Sequence, residues 1–333
     1  MAVIFTETFA SSLAWDYAGK KWTSVNGTDF QVMAQAASGY AIRLRDTKSI
    51  STRVFGTGAE KWVTWLFKPG AFTGTQEFLT LKNSSGTDQV SLWLLSSGQL
   101  EMRRGVTVLE TSSSDALIVG GVYRLTVYVK IDSSTGAWRV AVDGADYLND
   151  SGNTQAAGDT ECSIAEFLSA GGNLDHYASD IVIWDTAGSI LNGWQTGVKP
   201  VVLRTASDGT TTDFTPLSST NESNVDETNR DEDSTYNSSS TAGHIDLFNF
   251  ATLSGDYDVF AVVQNIHARK DDGATRTIRE KCRQSSTNYS GTTKTTAETY
   301  ENFDEIREVD PNSSAAWSVA GVNSAEFGYE LVA

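Results

Sequence analysis

Tyr123-Arg124-Leu125-Thr126-Val127-Tyr128-Val129-Lys130-Ile131, followed by Ser133-Ser134-Thr135-Gly136 and then Trp138-Arg139-Val140-Ala141-Val142, decides the fold class. Tyr123, Leu125, Val127, Val129 and Ile131 fall on one side of an extended chain, and Arg124, Thr126, Tyr128 and Lys130 on the other. Successive side chains of a strand point to opposite faces, so this alternation predicts a strand with one face in a core. Trp138, Val140 and Val142 repeat the pattern beyond a small-residue turn, which predicts a β-hairpin. Asp143-Gly144 closes it with a second turn.

The same period extends outward. Trp62 to Phe67 and Phe78 to Leu81 are compact apolar runs, read as central strands covered on both sides. Ser91-Leu92-Trp93-Leu94-Leu95 and Leu100-Glu101-Met102-Arg103 flank Ser96-Ser97-Gly98-Gln99 as another hairpin, with Trp93 and Trp138 expected in the core. Ile181 to Asp185 reads as a last central strand. Residues 1–185 thus predict an antiparallel sandwich. From 186 to 243 the apolar residues thin out, and Thr205 to Gly243 holds eight acids against Arg230 alone, so an irregular acidic connector is expected. Alternation resumes near His244. Asp246 to Phe250, Val259 to Ala268, Arg276 to Arg283, Glu301 to Val309 and Tyr329 to Val332 read as strands of a smaller β domain over 244–333. Asp271-Asp272-Gly273 is read there as a hairpin turn, and Trp317 to Phe327 holds room for one short helix.

At 333 residues the chain is about twice the usual domain size, which agrees with this division. A net charge of −17 disfavours nucleic acid as a partner, because phosphate binding needs a positive field, and disfavours an anionic membrane surface for the same reason. No apolar run approaches the roughly 18 residues of a membrane helix. The opening Met1 to Glu7 has neither the basic start nor the apolar core of a signal peptide. Cys162 and Cys282 are too few for a disulfide framework and have no metal spacing. The Asn-x-Ser/Thr triplets, as at Asn221 and Asn237, follow from composition and are read as turns.

Chemistry is sparse in the pattern. Glycoside hydrolysis needs two carboxylates flanking a bond, and Glu301 and Glu305 share a strand face, but a solvated charged face explains them better. No nucleophile elbow is present, and His176, His244 and His267 are isolated. Gly56 to Lys61 precedes an apolar strand where a phosphate loop requires a helix. Trp15, Trp22 and Tyr40 lie in less regular stretches, and are the candidates for exposed rings on which a sugar could stack. The acid-rich stretch 226–233 makes Asp231 and Asp233 candidate calcium ligands. No catalytic residue and no other cofactor is assigned.

Phe5-Thr6-Glu7-Thr8-Phe9, Lys21-Trp22, Trp65-Leu66-Phe67-Lys68, the Tyr123 to Ile131 strand and Ser179-Asp180-Ile181-Val182-Ile183-Trp184-Asp185 resemble concanavalin A-like, laminin-G-type jelly rolls. In that family the closing strand carries two acids before its apolar residues. Here Ser179 replaces the first, and the resemblance leaves Asp180 as a calcium candidate. Asn224 to Glu227, Asp233 to Ser239, Ala268 to Thr277, Asp310-Pro311 and Val322 to Gly328 resemble a segment that follows such jelly rolls in tailed-bacteriophage virion proteins. The expectation is an all-β, non-enzymatic virion structural protein, made in the host bacterial cytoplasm and exposed at a tail tip or fibre or as capsid decoration. Its implied partners are other virion proteins, further copies of itself and host-surface carbohydrate. A purely architectural component and a host-glycan depolymerase are the alternatives.

Overall fold

The computed structural model describes residues 3–9, 21–26, 29–156, 158–227 and 231–333. The chain is all-β and divides into two compact units, Met1–Val201 and Val202–Ala333. The first unit runs β1 (Val3–Glu7), β2 (Trp22–Asn26), β3 (Asp29–Val32), β4 (Tyr40–Leu44), β5 (Ser49–Thr52), β6 (Glu60–Phe72), β7 (Gln76–Lys82), β8 (Asp88–Leu94), β9 (Leu100–Arg104), β10 (Thr107–Thr111), β11 (Tyr123–Lys130), β12 (Gly136–Val142), β13 (Ala145–Gly152), β14 (Ile164–Leu168) and β15 (Leu174–Asp185). A front sheet has the order β13-β12-β11-β6-β15-β4-β3, with β1 also on β15, and a back sheet the order β10-β9-β8-β7-β14-β5-β2. All pairings are antiparallel, and the two sheets form the expected jelly-roll sandwich.

The decisive hairpin forms as the alternation requires. Val127 lies opposite Val140 and Val129 opposite Trp138, all facing inward. Asp143 and Gly144 both take positive φ (50° and 86°), the conformation of a tight two-residue turn. At Gly136 a Cβ would lie 2.5 Å from the Gly152 carbonyl oxygen, so only glycine permits that close approach. Aromatic rings bridge the two sheets: Trp65 meets Phe167 edge-on at 5.5 Å, and Phe67 lies 5.0 Å from Phe78. Trp65 is 1% exposed, and truncating such a residue costs about 3–5 kcal/mol.

The second unit contains β16 (Thr205–Thr212), β17 (Thr215–Pro216), β18 (Asn237–Ser238), β19 (Ile245–Phe250), β20 (Val262–Ala268), β21 (Thr277–Gln284), β22 (Thr287–Ser290), β23 (Lys294–Thr295), β24 (Glu301–Arg307), the helix α1 (Val319–Ser324) and β25 (Glu326–Leu331). Its main sheet has the order β16-β19-β25-β21-β22, with β23 on β21. Two expectations are refined here. The stretch 186–243, expected as an irregular connector, is divided: residues up to 201 belong to the first unit, and β16 is a regular strand paired with β19. Asp271-Asp272-Gly273 turns the chain, but β20 pairs with β24 and β21 with β25, so the strands on either side of it are not a hairpin. Asp246, fully buried, accepts from the Phe214 N–H (2.9 Å), the Asn221 side-chain amide (2.8 Å) and the Tyr329 hydroxyl (3.3 Å). That network ties the acidic stretch to the sheet. Among the described residues no helix is long and apolar enough to cross a membrane.

His176 on β15 supplies a pH test of the first unit. Its ring is 1% exposed and packs 5.1 Å from Phe67, and its Nδ1 has no hydrogen-bond partner among the described residues. Burial pulls it down from 6.5 to about 3. The unfolded chain therefore binds a proton that the folded chain refuses across this window, so His176 destabilises the fold progressively as pH falls from 6.5 towards 3. We expect the urea midpoint of His176→Phe to fall less over that range than that of the unsubstituted protein. Parallel curves would contradict this origin.

Candidate functional site

Antiparallel register builds two rows of side chains on the outer face of the back sheet. Glu77 on β7 lies opposite Trp93 on β8, Trp93 opposite Glu101 on β9, and Glu101 opposite Thr111 on β10. One step along, Ser51, Glu166, Thr80, Ser91 and Arg103 form the second row across β5, β14, β7, β8 and β9. Their sequence neighbours Leu79, Leu81, Leu92, Met102 and Phe167 face the core, so these polar groups must face outward.

The face is tightly bonded. The Trp93 indole N–H donates to Ser91 Oγ at 2.8 Å, and the Arg103 guanidinium lies over the Trp93 ring at 4.0 Å. Arg103 Nε and Thr111 Oγ1 both donate to the Glu101 carboxylate, the latter at 2.9 Å. The Thr80 hydroxyl donates to Glu77 Oε1 at 2.5 Å. Lys82 Nζ stands 2.7 Å from Glu166 and 3.1 Å from Asp88. Burial pushes the Glu77 carboxyl above the usual glutamate value of 4.5. The Thr80 bond opposes that shift, while the charges of Asp88 and Glu166 add to it. Burial draws Lys82 down, but its bonds to Glu166 and Asp88 outweigh that and hold it above its ordinary value. The face therefore combines a carboxyl inclined to keep its proton, a second carboxylate with a lysine counter-charge, and a half-buried tryptophan steadied by arginine.

None of these residues was singled out from the sequence as a site. Glu77 and Glu166 lie far apart in the chain and come onto one face only through the β7–β14 pairing, which sets Glu166 opposite Thr80 and which no local pattern announces. Trp93, expected in the core, sits on the outer face, whereas Trp138 is in the core with its N–H on Glu110 at 2.6 Å. Trp22 is corrected in the opposite sense. It is 1% exposed, with Phe5 edge-on at 5.2 Å and Phe9 stacked at 6.0 Å, and presents no open ring face. Tyr40 is half-buried against the sandwich core, and Trp15 lies outside the described residues.

Of the calcium candidates, Asp180 belongs to the first unit, and Asp231 and Asp233 to the second. Asp231 accepts from Thr235 Oγ1 at 2.8 Å, and Asp233 from Arg269 and from the Tyr300 hydroxyl, each at 2.9 Å. Among the described residues no group of three or more His, Cys, Asp or Glu side chains is placed to hold a metal ion. Asp180 sits at φ 52°, where the β15–β6 ladder is interrupted between Ser179 and Val182. Its carboxylate accepts from the Ala37 N–H at 3.0 Å and from Arg124 Nη2 at 3.2 Å. Burial raises the Asp180 carboxyl above its usual range against the pull of Ala37 and Arg124.

No protein-family model matches the chain, and no curated protein matches it. Among solved structures it is similar to an endo-β-1,4-glucuronan lyase from the fungus Trichoderma reesei, at 11% identity over 55% of this chain and 95% of that one, TM-score 0.41. It is also similar to a carbohydrate esterase from a Shiga toxin-encoding bacteriophage, at 12% identity over 55% and 97%, TM-score 0.40. A carbohydrate-binding module from Bacillus subtilis follows at 8% identity over 50% and 96%, TM-score 0.34. At these identities the likeness is one of fold. These findings nonetheless correct one expectation. The structures brought together in this way are mostly carbohydrate-active enzymes, alginate lyase and transglycosylase among them, so the exclusion of enzymatic activity drawn from missing motifs is withdrawn.

The Asp180 geometry carries its own prediction. Arg124→Ala leaves a carboxylate that is 2% exposed without its counter-charge, and should cost about 3–5 kcal/mol in urea unfolding. Adding Asp180→Asn should recover part of the loss; a strictly additive double variant would show that the two side chains do not act as a pair.

Proposed function

We propose that this chain is a carbohydrate-active protein of a bacteriophage particle, and that the outer face of its back sheet binds and cleaves host-surface polysaccharide. The observation that carries the proposal is that Glu77, opposite Trp93, and Glu166, opposite Thr80, share one sheet face on which the charge of Glu166 acts on Glu77. Glycoside hydrolysis needs one carboxyl that donates a proton and one carboxylate that does not. Environments that separate the two are the physical mark of such a pair. Burial and neighbouring negative charge incline Glu77 to keep its proton, while Lys82 at 2.7 Å compensates the charge of Glu166. Trp93, half-buried on this face, offers apolar surface to a sugar ring.

In this reading Glu77 gives its proton to the glycosidic oxygen as the bond to the anomeric carbon breaks. Glu166 takes a proton from the water that attacks that carbon, so one water is consumed for each bond cleaved. Glu101 and Thr111 position Arg103, which in turn holds the Trp93 ring. The resemblance of residues 224–328 to virion proteins supports placing the chain on the particle, with other virion proteins and further copies of itself as partners.

The test is release of reducing ends from a panel of bacterial capsular polysaccharides, alginate and polyglucuronate by the purified chain. Glu77→Gln should lower the rate by about 10²–10⁴-fold and remove the alkaline limb of the pH profile. That limb is expected above 4.5, because the folded-state value of Glu77 is raised and activity is lost as the proton leaves. Trp93→Ala should raise KM more than it lowers kcat. Binding with no bond cleavage, or cleavage indifferent to Glu77→Gln, would overturn the assignment.

A further inference from the structure

The opposite sheet carries an aromatic row. Trp184, Trp62, Tyr128, Arg139 and Asn149 lie side by side across β15, β6, β11, β12 and β13. All point outward, since Val63, Val127, Val140 and Ile183 face the core. The Trp62 ring is stacked on Trp184 at 6.2 Å and on Tyr128 at 5.1 Å. The chain beyond β15 then folds back over this face: the Trp184 N–H donates to the Gly193 carbonyl at 3.0 Å, and Leu191 and Val198 are buried. Trp194 is left half-buried, with the Arg139 guanidinium 4.3 Å from its ring.

Between these groups is an open recess of about 310 Å³, lined by Trp62, Tyr128, Arg139, Asn149, Asp150 and Trp194. Its size is at the small end of ligand sites. Trp62 is 4% exposed, its indole N–H has no acceptor among the described residues, and a buried donor without a partner is costly. Arg139 spends its charge on Asp146, through Nε to Oδ1 at 3.0 Å and Nη2 to Oδ2 at 2.6 Å. Tyr128 donates to Glu60 at 3.2 Å. With Arg139 neutralised and the Asp150 carboxylate on the rim, the recess has no unpaired positive charge to attract an acid. What it offers is the half-buried Trp194 indole and Tyr128 phenol for the C–H face of a pyranose, and the exposed Asn149 amide and Asp150 carboxylate for its hydroxyls.

We infer that this recess is a second saccharide site, and that it takes one or two uncharged sugar residues of the hexose or N-acetylhexosamine class. It lies on the sheet opposite Glu77 and does not depend on the cleavage proposed there. Such a site would hold the chain on neutral sugars of the host surface while the other face engages the polymer.

The experiment is a titration of the full chain, with 15N-labelled tryptophan, by glucose, N-acetylglucosamine and glucuronate. Trp62→Phe and Trp194→Phe assign the two indole signals. The signals of Trp62 and Trp194 should move with at least one neutral sugar, the Trp93 signal should not, and glucuronate should be inert. Trp194→Ala should weaken the interaction about tenfold. Asn149→Ala, an exposed substitution, should weaken it without disturbing the fold. Glu77→Gln should leave the titration unchanged, so loss of cleavage and loss of this site are read separately. No movement at Trp62 and Trp194, equal affinity after both Trp194→Ala and Asn149→Ala, or binding of glucuronate in preference to the neutral sugars would each overturn the inference.

Discussion

The pairing of β6 with β15 is the interaction on which the first unit depends. Trp62 meets Trp184, Val63 meets Ile183 and Thr64 meets Val182, and after the irregularity at Asp180 the ladder resumes with Leu66 on Ser179 and Phe67 on Ala178. It joins strands from the first third and the far end of the unit, so a long loop must close before it forms. The two strands then continue as a pair into the other sheet: β6 leads into β7, β14 leads into β15, and β7 pairs with β14. β4 and β5 follow the same path along β15 and β14. One ribbon of paired strands bent over a core thus yields both sheets, which is the physical content of a jelly roll.

That ribbon also decides what each outer face can do. Because side chains alternate, the register that puts Val63 and Ile183 inside puts Trp62 and Trp184 outside, and the register that puts Leu79, Leu81 and Phe167 inside puts Thr80 and Glu166 together outside. A slip of one residue would send the aromatic row into the core and the carboxylates away from each other. Fold and candidate sites therefore share one constraint: the register that buries the core is the one that assembles the faces.

This explains how far the sequence could be read. The alternation of residues 123–142 announces a hairpin because its signal is local, and so does the turn at Ser96 to Gln99 between β8 and β9. The β7–β14 neighbourhood is set by crossovers between sheets, and no spacing encodes it, so Glu77 and Glu166 read as unrelated acids. Trp93 misled for a related reason. Its Leu-rich strand looks uniformly apolar, yet Ser91 and Trp93 occupy the outward phase, and only the partners Glu77 and Glu101 reveal which phase that is. Asp-Gly at 272–273 is a true turn signal that says nothing about which strands later pair. The acidic stretch 205–243 reads as a connector because its one buried aromatic anchor among the described residues, Phe214 against Tyr329, has no periodic apolar neighbours and the other anchors are polar. Asn221 and Asp246 fasten it by hydrogen bonds where a hydrophobic pattern would have been visible.

The two outer faces of the sandwich are finished in different ways, and the contrast bears on function. The front sheet is partly roofed by its own chain: Met33 and Ala36 pack with Ala41 and Leu66, and the stretch after β15 lies over Trp184. On the back sheet the described residues show instead a polar network with little exposure, Thr80 at 2%, Ser91 and Glu101 at 7%, satisfied by bonds among themselves. Stability alone would be served by solvated lysines and glutamates alternating with core residues. Half-desolvated carboxylates weaken a fold unless fully partnered, and each partner must be held in place in turn. A chain that maintains such a network on the outer face of a sheet departs from the simplest stable solution there. Departures of that kind are found where a surface has chemistry to perform. The raised Glu77 carboxyl is a direct consequence of that departure, since the same burial that costs stability is what inclines it to keep a proton at a pH where an ordinary glutamate has lost it.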